Sequence, residues 1–270
     1  MHPIILFEKE LTINPVMISV GPFSIYWYGF FIVMAIVFSF FLAQRRIEKK
    51  KLDFGITLDN LYDFIIGAVL VSVLFARLYY VLFNLNYYLA NPSEILKIWN
   101  GGLAIYGGII GAIIYSLIFC RVKRVNFYNL ADLATPYLAL SQSVGRWGNF
   151  VNQEAYGYTT NLPWKMGIFD STMGEYIYVH PTFFYESICN LILFSILMKI
   201  SKKRKFEGQV FFVYMISYGI VRSVIEGLRT DSLMLGDFRV SQILSLIFVI
   251  LFGTMYYHAE KCRTKDSGKV

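Results

Sequence analysis

Apolar residues run along this chain in long blocks, at about 24–44, 61–83, 103–120, 127–144, 183–199, 209–227 and 239–257, and crossing a bilayer takes roughly 20 such residues. Short polar segments separate most of the blocks. The exception is the stretch from about 145 to 182, between the fourth block and the fifth. The pattern predicts an all-α, polytopic membrane bundle of about seven transmembrane helices, one integral membrane domain over 1–270 with a small head at 145–182. The third block is the shortest, and the fourth carries Asp132 and Pro136, so either is a candidate for a partly re-entrant segment. Within the head, Pro163 to Phe169 is a candidate short strand, and Trp147 and Trp164 suit a lipid–water boundary.

Composition sharpens this picture. Of 270 residues, 56% are hydrophobic and only 16% charged, against about 25% charged in soluble domains. The net charge of +7 raises nucleic acid as a partner. The basic residues sit in short runs between apolar blocks, and no nucleic-acid-reading motif is present, so the expected partner is the lipid bilayer. Cys120, Cys189 and Cys262 form no CxxC or CxxH pair, which predicts neither a metal site nor a disulfide framework. Glu8, Lys9 and Glu10 stand where a cleavable signal would be basic, so the first residues are expected to be retained.

The basic runs also set orientation. Arg45, Arg46, Lys49, Lys50 and Lys51 follow the first block, and Arg121, Lys123 and Arg124 the third. Lys199, Lys202, Lys203, Arg204 and Lys205 follow the fifth, and Lys261, Arg263, Lys265 and Lys269 the seventh. Positive charge is retained in the cytoplasm, so the N-terminus and the head are expected outside and the C-terminus inside.

With that orientation, Arg77, Arg146, Arg222 and Arg229 fall at the outer ends of their blocks. Charge at membrane depth costs several kcal/mol, roughly 3 by insertion scales, and marks function more often than chance. The plain alternative is that these arginines reach the interface or pair with Glu154, Glu186 and Glu226 as structural ties. Spacings of four and seven place Arg222, Glu226 and Arg229 on one helical face. At the end of a span, such a face offers planar cationic forks suited to a phosphate.

Further polar runs lie at the same level. Gly145-Arg-Trp-Gly-Asn-Phe-Val-Asn-Gln-Glu-Ala-Tyr-Gly157 presents Arg146, Asn149, Asn152 and Glu154, and its glycines permit tight turns in an irregular cavity-lining segment. In His180-Pro-Thr-Phe-Phe-Tyr-Glu186, Thr182 is a candidate cap for the fifth helix, and Glu186 is expected in its first turn, favoured by the dipole. His180 is a candidate base or a hydrogen-bonding anchor. Tyr106 opens the third block just before Gly107 and Gly108, which permit close helix approach.

These residues carry a family resemblance. The run GRWGNFVNQEAYG resembles the signature of the bacterial prolipoprotein diacylglyceryl transferases. Trp27-Tyr28-Gly29, Ala76-Arg77-Leu78, Gly101-Gly102-Leu103, Ala131-Asp132, the run from His180 to Glu186 and the Arg222–Arg229 face follow in matching order. The resemblance covers nearly the whole chain. It implies a multi-pass enzyme of the bacterial plasma membrane that transfers the diacylglyceryl group of phosphatidylglycerol to the lipobox cysteine of a prolipoprotein signal peptide, releasing glycerol phosphate. It implies no cofactor and no metal. Carried over by motif, Arg146 and Asn149 bind headgroup or phosphate and Glu154 orients them. Arg222 pairs with Glu226, Arg222 or Arg229 holds or gates the lipid, Tyr28 lies near the headgroup, and Arg77 belongs to the lipid-binding set.

The chain departs from the resemblance at Tyr106, where many members carry histidine. An unperturbed tyrosine, with a pKa of about 10, is a poor base at neutral pH. Tyr106, His180 and Glu226 therefore all stand as candidate bases, beside a thiolate formed by the arginine field alone. A transporter or channel for an anionic solute is the competing class, and it would be expected to show internal repeats or paired broken helices, which this sequence lacks.

Overall fold

The computed structural model describes residues 3–6, 9–21, 23–49 and 54–267. Glu8, Lys50, Lys51 and Lys269, used above, lie outside the described residues. The chain opens with β1 (Ile4–Leu6), β2 (Lys9–Leu11), β3 (Val16–Val20) and β4 (Phe23–Tyr26), and then enters α1 (Trp27–Glu48). Next come α2 (Leu58–Phe83), the short α3 (Leu85–Ala90), two 3-10 turns, α4 (Ile105–Lys123) and α5 (Phe127–Asn152). A hairpin of β5 (Met166–Asp170) and β6 (Glu175–Val179) leads to α6 (Thr182–Lys202) and α7 (Gln209–Leu228). The small hairpin of β7 (Met234–Leu235) and β8 (Phe238–Arg239) precedes α8 (Val240–Ser267).

Among the described residues six helices, α1, α2, α4, α6, α7 and α8, are long and apolar enough to cross a membrane. Their outward residues, such as Ile66, Leu70 and Leu74 on α2 and Leu246 and Ile250 on α8, are large, apolar and exposed. A water-soluble surface of that kind would aggregate, so the surface is made for lipid and the protein is a multi-pass helical membrane protein. α5 is as long as α2 but carries Asp132, Pro136 and Arg146, which dilute its apolar character.

The chain divides into two compact units, one of Gln44–Leu130 and one of Met1–Ala43 with Ala131–Val270. In the first, α2 begins where the Thr57 hydroxyl caps the Asn60 amide at 3.1 Å. α4 packs closely on α2. A Cβ on Gly107 would lie 2.4 Å from the Phe75 carbonyl oxygen, so the glycine is needed for that approach. Arg77 is buried in this unit and donates to the carbonyls of Glu94, Ile95, Gly101 and Gly102 at 2.6–2.9 Å. Its guanidinium ties down the segment between α3 and α4.

In the second unit, β2, β1, β5 and β6 form a four-stranded antiparallel sheet in that order. Ile4, Met166, Ile168 and Val179 of the sheet pack on Phe150 and Val151 at the end of α5 and on Phe183 at the start of α6. The head is thus anchored to the helix ends that carry the polar runs. Residues at the N-terminal end of the chain supply half its strands, which hydrophobic patterning did not reveal.

Two local expectations are corrected. Gly145 and Gly148 do not make turns, because α5 continues through them to Asn152. Gly148 serves packing instead: a Cβ there would come 2.5 Å from the Tyr28 ring. Thr182 does not cap α6. Pro181 holds the cap position, and the Thr182 hydroxyl donates to the Ala155 carbonyl.

Candidate active site

The reversal that ends α5 builds one wall of the site. Gln153 and Ala155 both adopt left-handed backbone, at φ 54° and 58°. Non-glycine residues hold that conformation only when their surroundings enforce it. The turn folds Glu154 back over α5. Its amide donates to the Asn149 carbonyl at 3.1 Å, and its carboxylate accepts from Asn149 Nδ2 at 2.8 Å and Asn152 Nδ2 at 3.4 Å. Asn149 Oδ1 in turn accepts from Arg146 Nη1 at 3.2 Å. One chain of bonds therefore runs from Glu154 through Asn149 to Arg146.

Helix register supplies the rest. The Ser143 and Ser187 hydroxyls each donate to the other residue's carbonyl, at 2.8 and 2.9 Å, which locks α5 against α6. Tyr214 on α7 donates to Gln142 on α5 at 3.1 Å. With the three helices so held, Glu186 sits between two arginines. Its Oε1 accepts from Arg146 Nη2 at 2.6 Å, and its Oε2 accepts from Arg222 Nη1 at 3.1 Å. Arg222 Nη2 meets Glu226 Oε2 at 2.6 Å, one helical turn on. Tyr218 also donates to Glu186 Oε1, at 3.4 Å, and its ring stacks on Tyr214.

Burial sorts this cluster by charge. The Glu186 and Glu226 side chains are 2–3% exposed, whereas Arg146 and Arg222 are 21% and 17% exposed. Carboxylates form the floor and guanidiniums the reachable face. The floor holds the two forks side by side and limits their mutual repulsion. Glu186 is fifth in α6, past the first turn, so its partners are these arginines and not the helix dipole.

Arg229, at the end of α7, makes a bidentate pair with Asp231, Nε to Oδ1 at 2.9 Å and Nη2 to Oδ2 at 2.8 Å. That hydrogen bonding holds the Asp231 carboxyl below its usual range, so the clasp stays ionised at neutral pH. Arg239 donates to the Glu226 carbonyl and, at 2.8 Å, to the Tyr158 hydroxyl, which fastens the β7–β8 hairpin to the end of α7. His180 Nδ1 lies 3.2 Å from the Tyr185 hydroxyl, which accepts from Trp164 Nε1 at 2.8 Å. Backbone bonds tie His180 to Gly157 and Tyr158. The Tyr28 ring lies against Gly148 on the α5 face behind Arg146.

The structure therefore brings Arg146, Asn149, Glu154, Arg222 and Glu226 into one network, with Arg229 just beyond it. Arg77 and Tyr106 belong to the other unit, where Arg77 holds loop carbonyls and Tyr106 stands exposed in the first turn of α4. Sequence reasoning named Glu186 only as a structural tie for the arginines, not as the hub of the site, and missed its neighbour Tyr218. Extending the Arg222–Glu226 face one turn back along α7 reaches Tyr218 and then Tyr214, so that signal was present. Among the described residues no group of His, Cys, Asp and Glu is arranged to hold a metal ion.

The fold and the cluster define a multi-pass helical membrane protein with two partly exposed arginines paired to buried carboxylates, an arrangement chemically able to meet an anion. Comparison with known proteins gives the particular family. The prolipoprotein diacylglyceryl transferase model matches residues 15–258. A phosphatidylglycerol–prolipoprotein diacylglyceryl transferase of Listeria welshimeri is 43% identical over 256 residues, covering 92% of this chain and 91% of that protein. The enzyme so named from Clostridium novyi is 46% identical over 243 residues, covering 88% and 93%. That of Lysinibacillus sphaericus is 43% identical over 263 residues, covering 94% and 95%. The chain belongs to the prolipoprotein diacylglyceryl transferase family and is a transferase. Nothing in these relatives favours the transporter alternative.

Proposed function

We propose that this protein transfers the diacylglyceryl group of phosphatidylglycerol to the cysteine thiol of a prolipoprotein lipobox. A sulfur–carbon bond forms at the glyceryl carbon, and the bond from that carbon to the phosphate oxygen breaks. The electron pair leaves with the phosphate, giving glycerol phosphate, and the thiol proton is lost. The observation that carries this reading is the Arg146–Glu186–Arg222 bridge, which ties two partly exposed arginines to one buried carboxylate. They grip the phosphodiester and stabilise the charge that grows on the leaving oxygen. Asn149 and Glu154 hold Arg146 in place, Glu226 holds Arg222, and Tyr28 borders the headgroup from α1.

Arg229 is a candidate gate, since its clasp with Asp231 must open before it can meet a lipid. Arg77 shapes the loop before α4 and is not assigned to the phosphate. Thiolate is the competent nucleophile, and the field of the arginines lowers the cost of forming it. Tyr106, His180 and Glu226 are the groups that can take the proton. Glu226 is already paired with Arg222, and His180 Nδ1 is engaged with Tyr185, so Tyr106 is the first to test.

The basic runs support a topology with the head and this site at the outer leaflet of the plasma membrane and the C-terminus in the cytoplasm. Both substrates are membrane-borne, the lipid and the apolar signal peptide, so they meet at that level. Arg146→Ala and Arg222→Ala are each expected to lower transfer by about 10²-fold or more while the protein remains inserted. Full activity in either variant would remove the phosphate-binding assignment. Tyr106→Phe, assayed alongside, is expected to lose transfer if the hydroxyl takes part, whereas retained transfer would move the proton to His180, Glu226 or solvent.

A further inference from the structure

Asn190 follows Glu186 by one turn of α6, so the two share a face, with Asn190 deeper in the span. Asn190 is 0% exposed, and among the described residues neither its Nδ2 nor its Oδ1 has a hydrogen-bond partner. Leu193 and Leu197, three and seven residues further along the same face, belong to an apolar cluster with Ala139, Val210 and Tyr214. An amide left unpaired there is costly, and buried polar groups are met by protein or by ordered water.

A second observation points to the same place. Glu186 Oε1 accepts from Arg146 and Tyr218, whereas Oε2 accepts from Arg222 alone in the described hydrogen bonds. Each carboxylate oxygen can accept two. Helical spacing puts the carboxylate and the amide one turn apart on the same face, a separation that one water can bridge.

We propose that Asn190 holds an internal water that accepts from its Nδ2 and donates to Glu186 Oε2. Asn190 is thereby a positioning residue. It acts through the water on the carboxylate that keeps Arg146 and Arg222 side by side, and it touches no substrate. This role rests on the reading of those arginines as the phosphate grip.

Radiolytic hydroxyl-radical footprinting of the purified full chain tests the water directly, because radicals formed at a bound water label neighbours that bulk solvent does not reach. Leu193 and Tyr214, at 4% and 6% exposure, are the reporters. Labelling of both is expected in the wild type, with loss to background in Asn190→Leu. No labelling in the wild type would overturn the proposal without need of any variant. In transfer assays, Asn190→Leu is expected to raise the KM for phosphatidylglycerol about tenfold, with a further fall in kcat because the same arginines also stabilise the leaving charge. Asn190→Ser, whose hydroxyl also donates and accepts, is expected to restore KM to within about twofold. An unchanged KM, or a loss in kcat alone from a smaller folded fraction, would overturn the positioning role. Absence of transfer by the wild type while the reporters are labelled would strike the functional reading and leave the water site standing.

Discussion

Glu186→Gln is expected to cut transfer by about 10²–10³-fold while the protein stays folded and inserted. Glutamine keeps the volume of the side chain and removes its charge. Arg146 then loses its 2.6 Å partner, and Arg222 keeps only Glu226. Two guanidiniums anchored on neighbouring helices would face each other across a neutral amide, in surroundings where the carboxylate is 2% exposed. They would separate toward water, and the paired grip on a phosphodiester would be lost even though both arginines remain. Breaking a buried ion pair by removing one partner costs about 3–5 kcal/mol, which sets the scale of the effect. The check is initial rate per inserted molecule, with insertion followed by protease protection. Activity near wild type would mean that the arginines act independently, and the carboxylate floor would be structural only.

Asp132→Leu is expected to have the largest effect on stability, with little on chemistry. Asp132 is 0% exposed and caps the start of α7 from across the bundle. Its carboxylate accepts from the Gly208 and Phe211 amides, each at 2.8 Å, and from Arg204 Nη1 at 3.2 Å. α7 has no cap of its own at this end, because Gly208 holds the cap position in left-handed backbone. Leucine would leave the buried amides and the Arg204 charge without that acceptor, at a cost of about 3–5 kcal/mol. With roughly 2–4 °C per kcal/mol for a chain of this size, the unfolding midpoint should fall by about 10 °C. Asp132→Asn keeps an acceptor for one amide and should fall by about half as much. Transfer per folded molecule should be unchanged, since Asp132 lies near the opposite end of α5 from Arg146. A midpoint within about 2 °C of wild type in Asp132→Leu would show that α7 does not depend on this cap.

The spans were legible because their signal is local. Runs of apolar residues long enough to cross a bilayer became α1, α2, α4, α6, α7 and α8. Where boundaries differed, packing had decided. Residues 24–26 read as part of the first span, yet they pair with β3 in a separate two-stranded hairpin. The strands near the N-terminus are only three to five residues long, too short for alternation to stand out beside the apolar blocks that follow. Gly145 and Gly148 read as turn residues, because a sequence does not say whether a missing side chain makes room for a bend or for a neighbour's ring. The Arg222–Glu226 face followed from helical spacing alone. The role of Glu186 did not, because it depends on the register of three helices, fixed by Ser143–Ser187 and Gln142–Tyr214 contacts that no local pattern records. Arg77 was legible as unusual but not in its work, since its carbonyl partners belong to a loop with no signal of its own.

On this reading the arginine pair serves a transfer reaction between two membrane-borne substrates. The most direct measurement uses purified protein in vesicles, phosphatidylglycerol labelled in its diacylglyceryl part, and a lipobox peptide with a single cysteine. Label is expected on the peptide in a thioether, with one glycerol phosphate released per peptide modified and neither product when lipid or peptide is omitted. Folded protein that leaves the peptide unlabelled, or that releases glycerol phosphate without any peptide, would contradict this reading.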